Sequence, residues 1–186
     1  MNKEHTRSYG VVTQLLHWFI GALIIAEIVM ALIAEDMPAG AELEQMVDLH
    51  KSLGITLLIL IAIRVGWRYL EGSAPPYTGI SKRSEKLAQY GHRALYFLMV
   101  FMPLSGWLMS STGGHQVIPF GLLEFPALLS PNDLLHDVLE TSHAVASKLM
   151  ILLIIIHVIA SLRHQFVERV DVFSRVLPFA GRNPNE

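Results

Sequence analysis

His143–His157 reads HAVASKLMILLIIIH. It is an apolar helical stretch with a histidine at each end, fourteen residues apart. At about 100° per residue, the two imidazoles come within about 40° of one face and lie about 21 Å apart along the axis. An imidazole in hydrocarbon still needs partners, so an intramembrane histidine points to function. Two on one stripe at opposite depths predict two cofactors stacked across a membrane.

The composition agrees with that placement. Of the 186 residues, 52% are hydrophobic and only 16% charged, too apolar and too weakly charged for an ordinary soluble domain. The chain has no cysteine. That excludes thiolate-ligated iron–sulfur clusters, covalent c-type haem attachment, disulfides and Cys-based zinc sites. No basic run with interleaved aromatics suggests nucleic acid. There is no internal repeat, no low-complexity segment and no sign of a second domain.

Four apolar stretches read as spanning helices of about 20 residues: Thr13–Ile33, Leu49–Leu70, Gly91–Ser110 and Ser142–Leu162. The expected fold is therefore an all-α, integral membrane four-helix bundle forming one domain. Arg64 and Arg68 interrupt the second span, and Pro103 marks a tolerated kink in the third. Trp18, Trp67 and Trp107 lie near span ends, where aromatic belts sit. Lys3 and Arg7 before an apolar run could suggest a signal peptide. The run from Val11 to Ala34 is too long for that and contains His17, so it reads as a retained first helix.

The connections carry segregated charge. Glu35, Asp36, Glu42, Glu44 and Asp48 lie between spans one and two, and Glu124, Asp133, Asp137 and Glu140 between spans three and four. The remaining connection holds Lys82, Arg83, Lys86 and Arg93, and the C-terminal tail adds Arg163, Arg169, Arg175 and Arg182. The positive-inside rule places both termini in the cytoplasm and the acidic loops outside. The long acidic loop is expected to be irregular, with a short helix near Asp133–Leu139.

That orientation sorts the histidines by depth. His50 and His143 fall at the outer level, His17 and His157 at the inner one. Each pair draws on two helices, as a bundle-core site requires. Two facing imidazoles can bind a porphyrin iron from both sides, leaving it set up for electron transfer. Zinc would want three or four ligands at one point. Gly21 and Gly54 each lie four residues after a histidine, on its face. They either let a flat ring lie against the backbone or serve close helix packing. Arg64 shares the His50 stripe at the inner level, where it suits haem propionates or snorkels to the interface.

The strings LLHW at Leu15–Trp18, HKSLG at His50–Gly54 and YGHRALY at Tyr90–Tyr96, with the His143/His157 pair, resemble the bacterial cytochrome b(561) family. The likeness covers nearly the whole chain. It implies a four-helix fold with two haem b groups, axial ligands at His17, His50, His143 and His157, and electron exchange with membrane quinone. Related dihaem subunits anchor hydrogenases and formate dehydrogenases. One branch of small members oxidises superoxide and passes the electron to ubiquinone.

The remaining polar residues complete the expectations. His92 and His164 are placed beyond the inner haem, where they could hydrogen-bond and protonate a quinone such as bound ubiquinone, or simply meet lipid headgroups. Arg93 and Arg163 could assist or act as inside anchors. Lys51 could offset the acidic loops, bind outer-haem propionates or attract superoxide. Lys148 lies about 140° round the helix from His143, which weakens that role for it. The nine acids of the outer loops would repel a diffusing anion and count mildly against superoxide. His115 and His136 are expected to be exposed, and Glu27 to reach water near the outer end.

The reading is thus a bacterial inner-membrane dihaem cytochrome passing electrons between an outer-side donor, superoxide among the options, and membrane quinone. Its rival is an anchor subunit relaying electrons for a partner redox protein. A histidine-based divalent-metal transporter would want carboxylates beside the histidines in mid-membrane, and the sequence offers only Glu27.

Overall fold

In hydrocarbon a spanning segment must close its backbone hydrogen bonds internally, so isolated apolar stretches become helices. In the computed structural model, which describes residues 9–72 and 80–178, they form α1 (Val11–Glu35), α2 (Ala41–Glu71), α3 (Lys82–Thr112) and α4 (Asp133–Phe166). Each is long and apolar enough to cross a membrane. Short 3-10 turns at Pro119–Gly121 and Phe173–Arg175 and one isolated bridge, Val117 to Phe125, complete the regular structure among the described residues. Lys3 and Arg7, which raised the question of a signal peptide, and Arg182 of the basic tail lie outside those residues.

α1 packs on α2, α2 on α3 and α3 on α4. Ile20, Leu57 and Ile61 knit α1 to α2, while Leu98, Ala146 and Met150 knit α3 to α4. Met99 packs against both clusters. The outward faces stay apolar and exposed, as at Phe19, Ile59 and Ile159. Without water to drive helices together, such faces belong against acyl chains.

Three helices overrun their apolar spans. α2 starts at Ala41, α3 at Lys82 and α4 at Asp133. Their added turns are polar and are supported by local end chemistry. The Ser81 side chain accepts from Ser84 N–H at 3.1 Å, and Asn132 Oδ1 accepts from Leu135 N–H at 2.9 Å. Glu42 and Glu44 in α2, Glu85 in α3 and Asp133 in α4 place negative charge in the first turns, where it complements the helix dipole. The short helix expected near Asp133–Leu139 is the beginning of α4.

The segment from Gly113 to Asn132 folds back over the acidic-loop end. Leu128 N–H donates to Ser111 Oγ at 3.1 Å, Asn132 N–H to Thr112 O at 2.9 Å and Phe120 N–H to Ser52 Oγ at 3.0 Å. Trp107 Nε1–H donates to Pro126 O at 3.1 Å. Phe120 takes a left-handed conformation, φ 54°, that is costly for a residue with a Cβ. At the basic end, the Glu71 carboxylate accepts from Gly10 N–H at 2.7 Å and from the Thr13 hydroxyl, tying the end of α2 to the start of α1. The segment after α4 returns beneath α1, where Gln14 Nε2–H donates to Arg175 O at 3.1 Å and Trp18 Nε1–H to Val176 O at 2.8 Å.

Candidate functional site

Helix periodicity sets which way each histidine points, and helix packing sets what it meets. At the acidic-loop end, His50 of α2 faces His143 of α4, with ring centroids 6.3 Å apart and planes at 83°. At the basic end, His17 of α1 faces His157 of α4, with centroids 6.4 Å apart and planes at 70°. All four rings are half-buried.

The separations are informative. A metal-bound imidazole nitrogen lies about 2.0–2.1 Å from its ion and the ring centre about 1.1 Å behind it, so two trans imidazoles have centroids about 6.3 Å apart. Both pairs match that figure. The His92 ring stands 5.4 Å from His157, short of the separation for two imidazoles on opposite sides of one ion. His92 is exposed and level with the pair rather than beyond it, because α3 begins ten residues before it. Among the described residues, no group of three or more His, Asp or Glu side chains is arranged to hold a metal ion.

Space is provided as well. His50 and His143 line a cavity holding about 910 Å³ of empty space, part of it open to the exterior. Its walls include Gly54, Gly106, Lys51 and Glu27 among aliphatic and methionine side chains. A Cβ built on Gly54 or Gly21 would meet nothing within 4 Å. These two glycines therefore border open space beside their histidines and are not points of close helix contact. Gly106 is different. Its Cβ would stand 3.4 Å from His143 Cε1, so this glycine admits the imidazole against α3. The residues present fit a flat cofactor held by paired imidazoles.

The rings are also oriented from behind. The Ser105 hydroxyl, 1% exposed, donates to Met102 O at 2.9 Å, so its lone pair can accept His143 Nδ1–H at 2.9 Å. Nε2 is then the nitrogen left bare. Glu27 Oε2 contacts His50 Nδ1, and the glutamate is 7% exposed. The sequence had Glu27 reaching water. The structure instead turns it from α1 toward α2 and buries it against a histidine.

Arg64 stands where its spacing placed it, at the basic end. Its Nη2 is 3.5 Å from His17 Nδ1 and its Nε donates to Tyr96 Oη at 3.3 Å. Nη1 is buried without a hydrogen-bond partner. Lys51 Nζ pairs with Asp48 at 3.6 Å at the cavity's edge. His164 is half-buried, and its Nδ1 lies 2.6 Å from Glu168 Oε2, which leaves Nε2 available. Glu168 also pairs with Arg163 at 3.0 Å. Sequence reasoning missed Glu168, although its i,i+4 spacing from His164 was a usable signal. His115 is exposed as expected, whereas His136 is half-buried, with Nδ1 3.0 Å from Met109 O.

Comparison with known proteins follows the same lines. Residues 8–179 match the family model described as prokaryotic cytochrome b561. A protein described as cytochrome b561 homolog 2, from Escherichia coli (strain K12), is 28% identical over 170 residues, covering 91% of this chain and 90% of the relative. A probable superoxide oxidase CybB from Yersinia pestis is 28% identical over 130 residues, covering 70% of this chain and 73% of the relative.

Proposed function

The chain belongs to the prokaryotic cytochrome b561 family, and from that premise we propose that it is a dihaem quinone-linked cytochrome of the bacterial inner membrane. The coarser part needs no proposal: it is a multi-pass membrane cytochrome b of electron transfer. The finer part rests on one observation, the two facing imidazole pairs at opposite ends of α4, each spaced for an ion between its rings.

In this reading His50 and His143 hold an outer haem b, and His17 and His157 an inner one. Haem, when bound there, would supply a reversible one-electron centre. The chain's own residues do the rest. Gly21 and Gly54 clear room beside the imidazoles, and Ser105 and Glu27 fix their rings from behind. Arg64 would pair with a carboxylate of the inner group, while Lys51 is held by Asp48 at the cavity's edge. A guanidinium only donates, so its contact with His17 needs a bare Nδ1. With Nε2 of His17 bound to a metal, Nδ1 would carry the proton and Arg64 would be free to turn to a carboxylate.

Quinone reduction consumes two electrons and two protons. His164 is assigned to the quinone, because Glu168 holds its Nδ1 and leaves Nε2 to hydrogen-bond a quinone carbonyl and deliver a proton. His92, exposed beside His157 at the same end of the bundle, is the second candidate. The electron donor is placed on the acidic-loop side. The relative named as a probable superoxide oxidase makes superoxide the first donor to try.

The deciding test is the visible spectrum of the purified protein, oxidised and then reduced, with haem quantified per chain. We expect sharp low-spin b-type bands and two haems per chain. His143→Ala should remove one haem and His17→Ala the other. A colourless protein made with ample haem would sink the reading, and one haem per chain would retire one of the two pairs.

A further inference from the structure

Two ionisable groups of opposite sign stand beside the imidazole pairs, one at each end, and carrying electrons does not by itself require either. At the acidic-loop end, Glu27 reaches from α1 to His50 Nδ1 on α2 and is almost wholly buried. Beyond this contact, neither carboxylate oxygen of Glu27 nor His50 Nδ1 has a hydrogen-bond partner. Lys51, the nearest base along α2, pairs with Asp48. At the basic end Arg64 lies against His17 Nδ1, with Nη1 buried and without a hydrogen-bond partner. A carboxylate and a guanidinium are thus assigned to different histidine pairs.

We propose that Glu27 and Arg64 are positioning residues that hold the two haems at different potentials, the His50/His143 haem below the His17/His157 haem, and so direct electrons from the acidic-loop side to the basic side. The proposal rests on the dihaem reading above and adds a direction to it.

A carboxylate that accepts the Nδ1–H of a ligating imidazole fixes its tautomer and raises its basicity. A more basic ligand and an adjacent negative charge both favour ferric over ferrous iron, so the potential falls. A guanidinium near the other pair favours the added electron, so that potential rises. Both effects are large only where water is excluded, as in the bundle interior. Ser105 offers His143 an uncharged acceptor and leaves Glu27 to dominate its end. The step is a one-electron exchange: outer iron goes from ferrous to ferric as inner iron goes from ferric to ferrous. No bond forms or breaks and no proton enters the balance.

The test is a potentiometric titration of the haem-loaded, full-length protein, followed in the visible spectrum. His143→Ala identifies one wave by abolishing it, and that wave should be the lower of the two in the unaltered protein. Glu27→Gln keeps the side chain's size and removes its charge. It should raise that wave by about 59 mV, a tenfold change for one electron, and leave the other in place. Arg64→Gln should lower the other wave by a similar amount. Glu27→Asp, which keeps the charge, should lie closer to the unaltered protein than Glu27→Gln does. The proposal is overturned if the His50/His143 haem titrates as the upper wave, or if Glu27→Gln moves neither wave or both equally. It is also overturned if Glu27→Gln loses a haem that Glu27→Asp does not restore, since Glu27 would then only hold the site together. An unaltered protein with fewer than two haems defeats the dihaem reading, and the direction with it.

Discussion

At the scale of single residues, the site depends on what stands behind each imidazole. His143 has its Nδ1 on the hydroxyl of Ser105, which is buried in α3. Ser105→Ala should therefore weaken haem binding at this pair by about 10–100-fold, the usual cost of losing an outer-shell partner. Titrating haem into the apo-protein would measure it, with the His17/His157 site as the internal control. The four paired histidines were legible in the sequence because helix geometry is local: spacing fixes angle and depth. Glu27 was not. Its angle of about 80° from the His17 face excludes it from that stripe, but says nothing about which neighbouring helix it meets. That depends on how α1 is rotated against α2, a property of packing. His92 was misplaced for a related reason: its depth follows from where α3 starts.

At the scale of elements, hydropathy finds where a helix is in oil and not where it ends. α2, α3 and α4 continue into polar sequence because acidic first turns support all three and side-chain caps support α3 and α4. Those signals were present, as in Asn132 followed by Asp133, but they lie outside the apolar window. Asn132→Ala should cost about 1 kcal/mol through loss of the N-cap bond. A lower Tm with unchanged haem stoichiometry is the expected result, read by thermal unfolding of the solubilised protein. The fold of residues 113–132 was less legible still. Ser110, Ser111 and Thr112 look like an ordinary polar helix end, yet all three are buried, and Ser111 and Thr112 carry bonds that fasten the loop.

At the scale of the whole molecule, the sequence carried the bundle and the count of spans, because each is written in long stretches of uniform polarity. Orientation rests on the charge of the connections, and the cysteine-free chain makes it testable. In intact spheroplasts, an impermeant maleimide should label Glu124→Cys and spare Ser81→Cys until the membrane is opened; the reverse pattern would invert the molecule. One further consequence concerns biogenesis. Each facing pair takes one member from α4, the last helix to leave the ribosome. His17 and His50 enter the bilayer well before either has a counterpart. The first pair waits for His143 and the second for His157, only fourteen residues later, so both sites mature late and close together. A chain cut short before Asp133 would insert three helices and still hold half of each site, a natural checkpoint between membrane insertion and acquisition of colour.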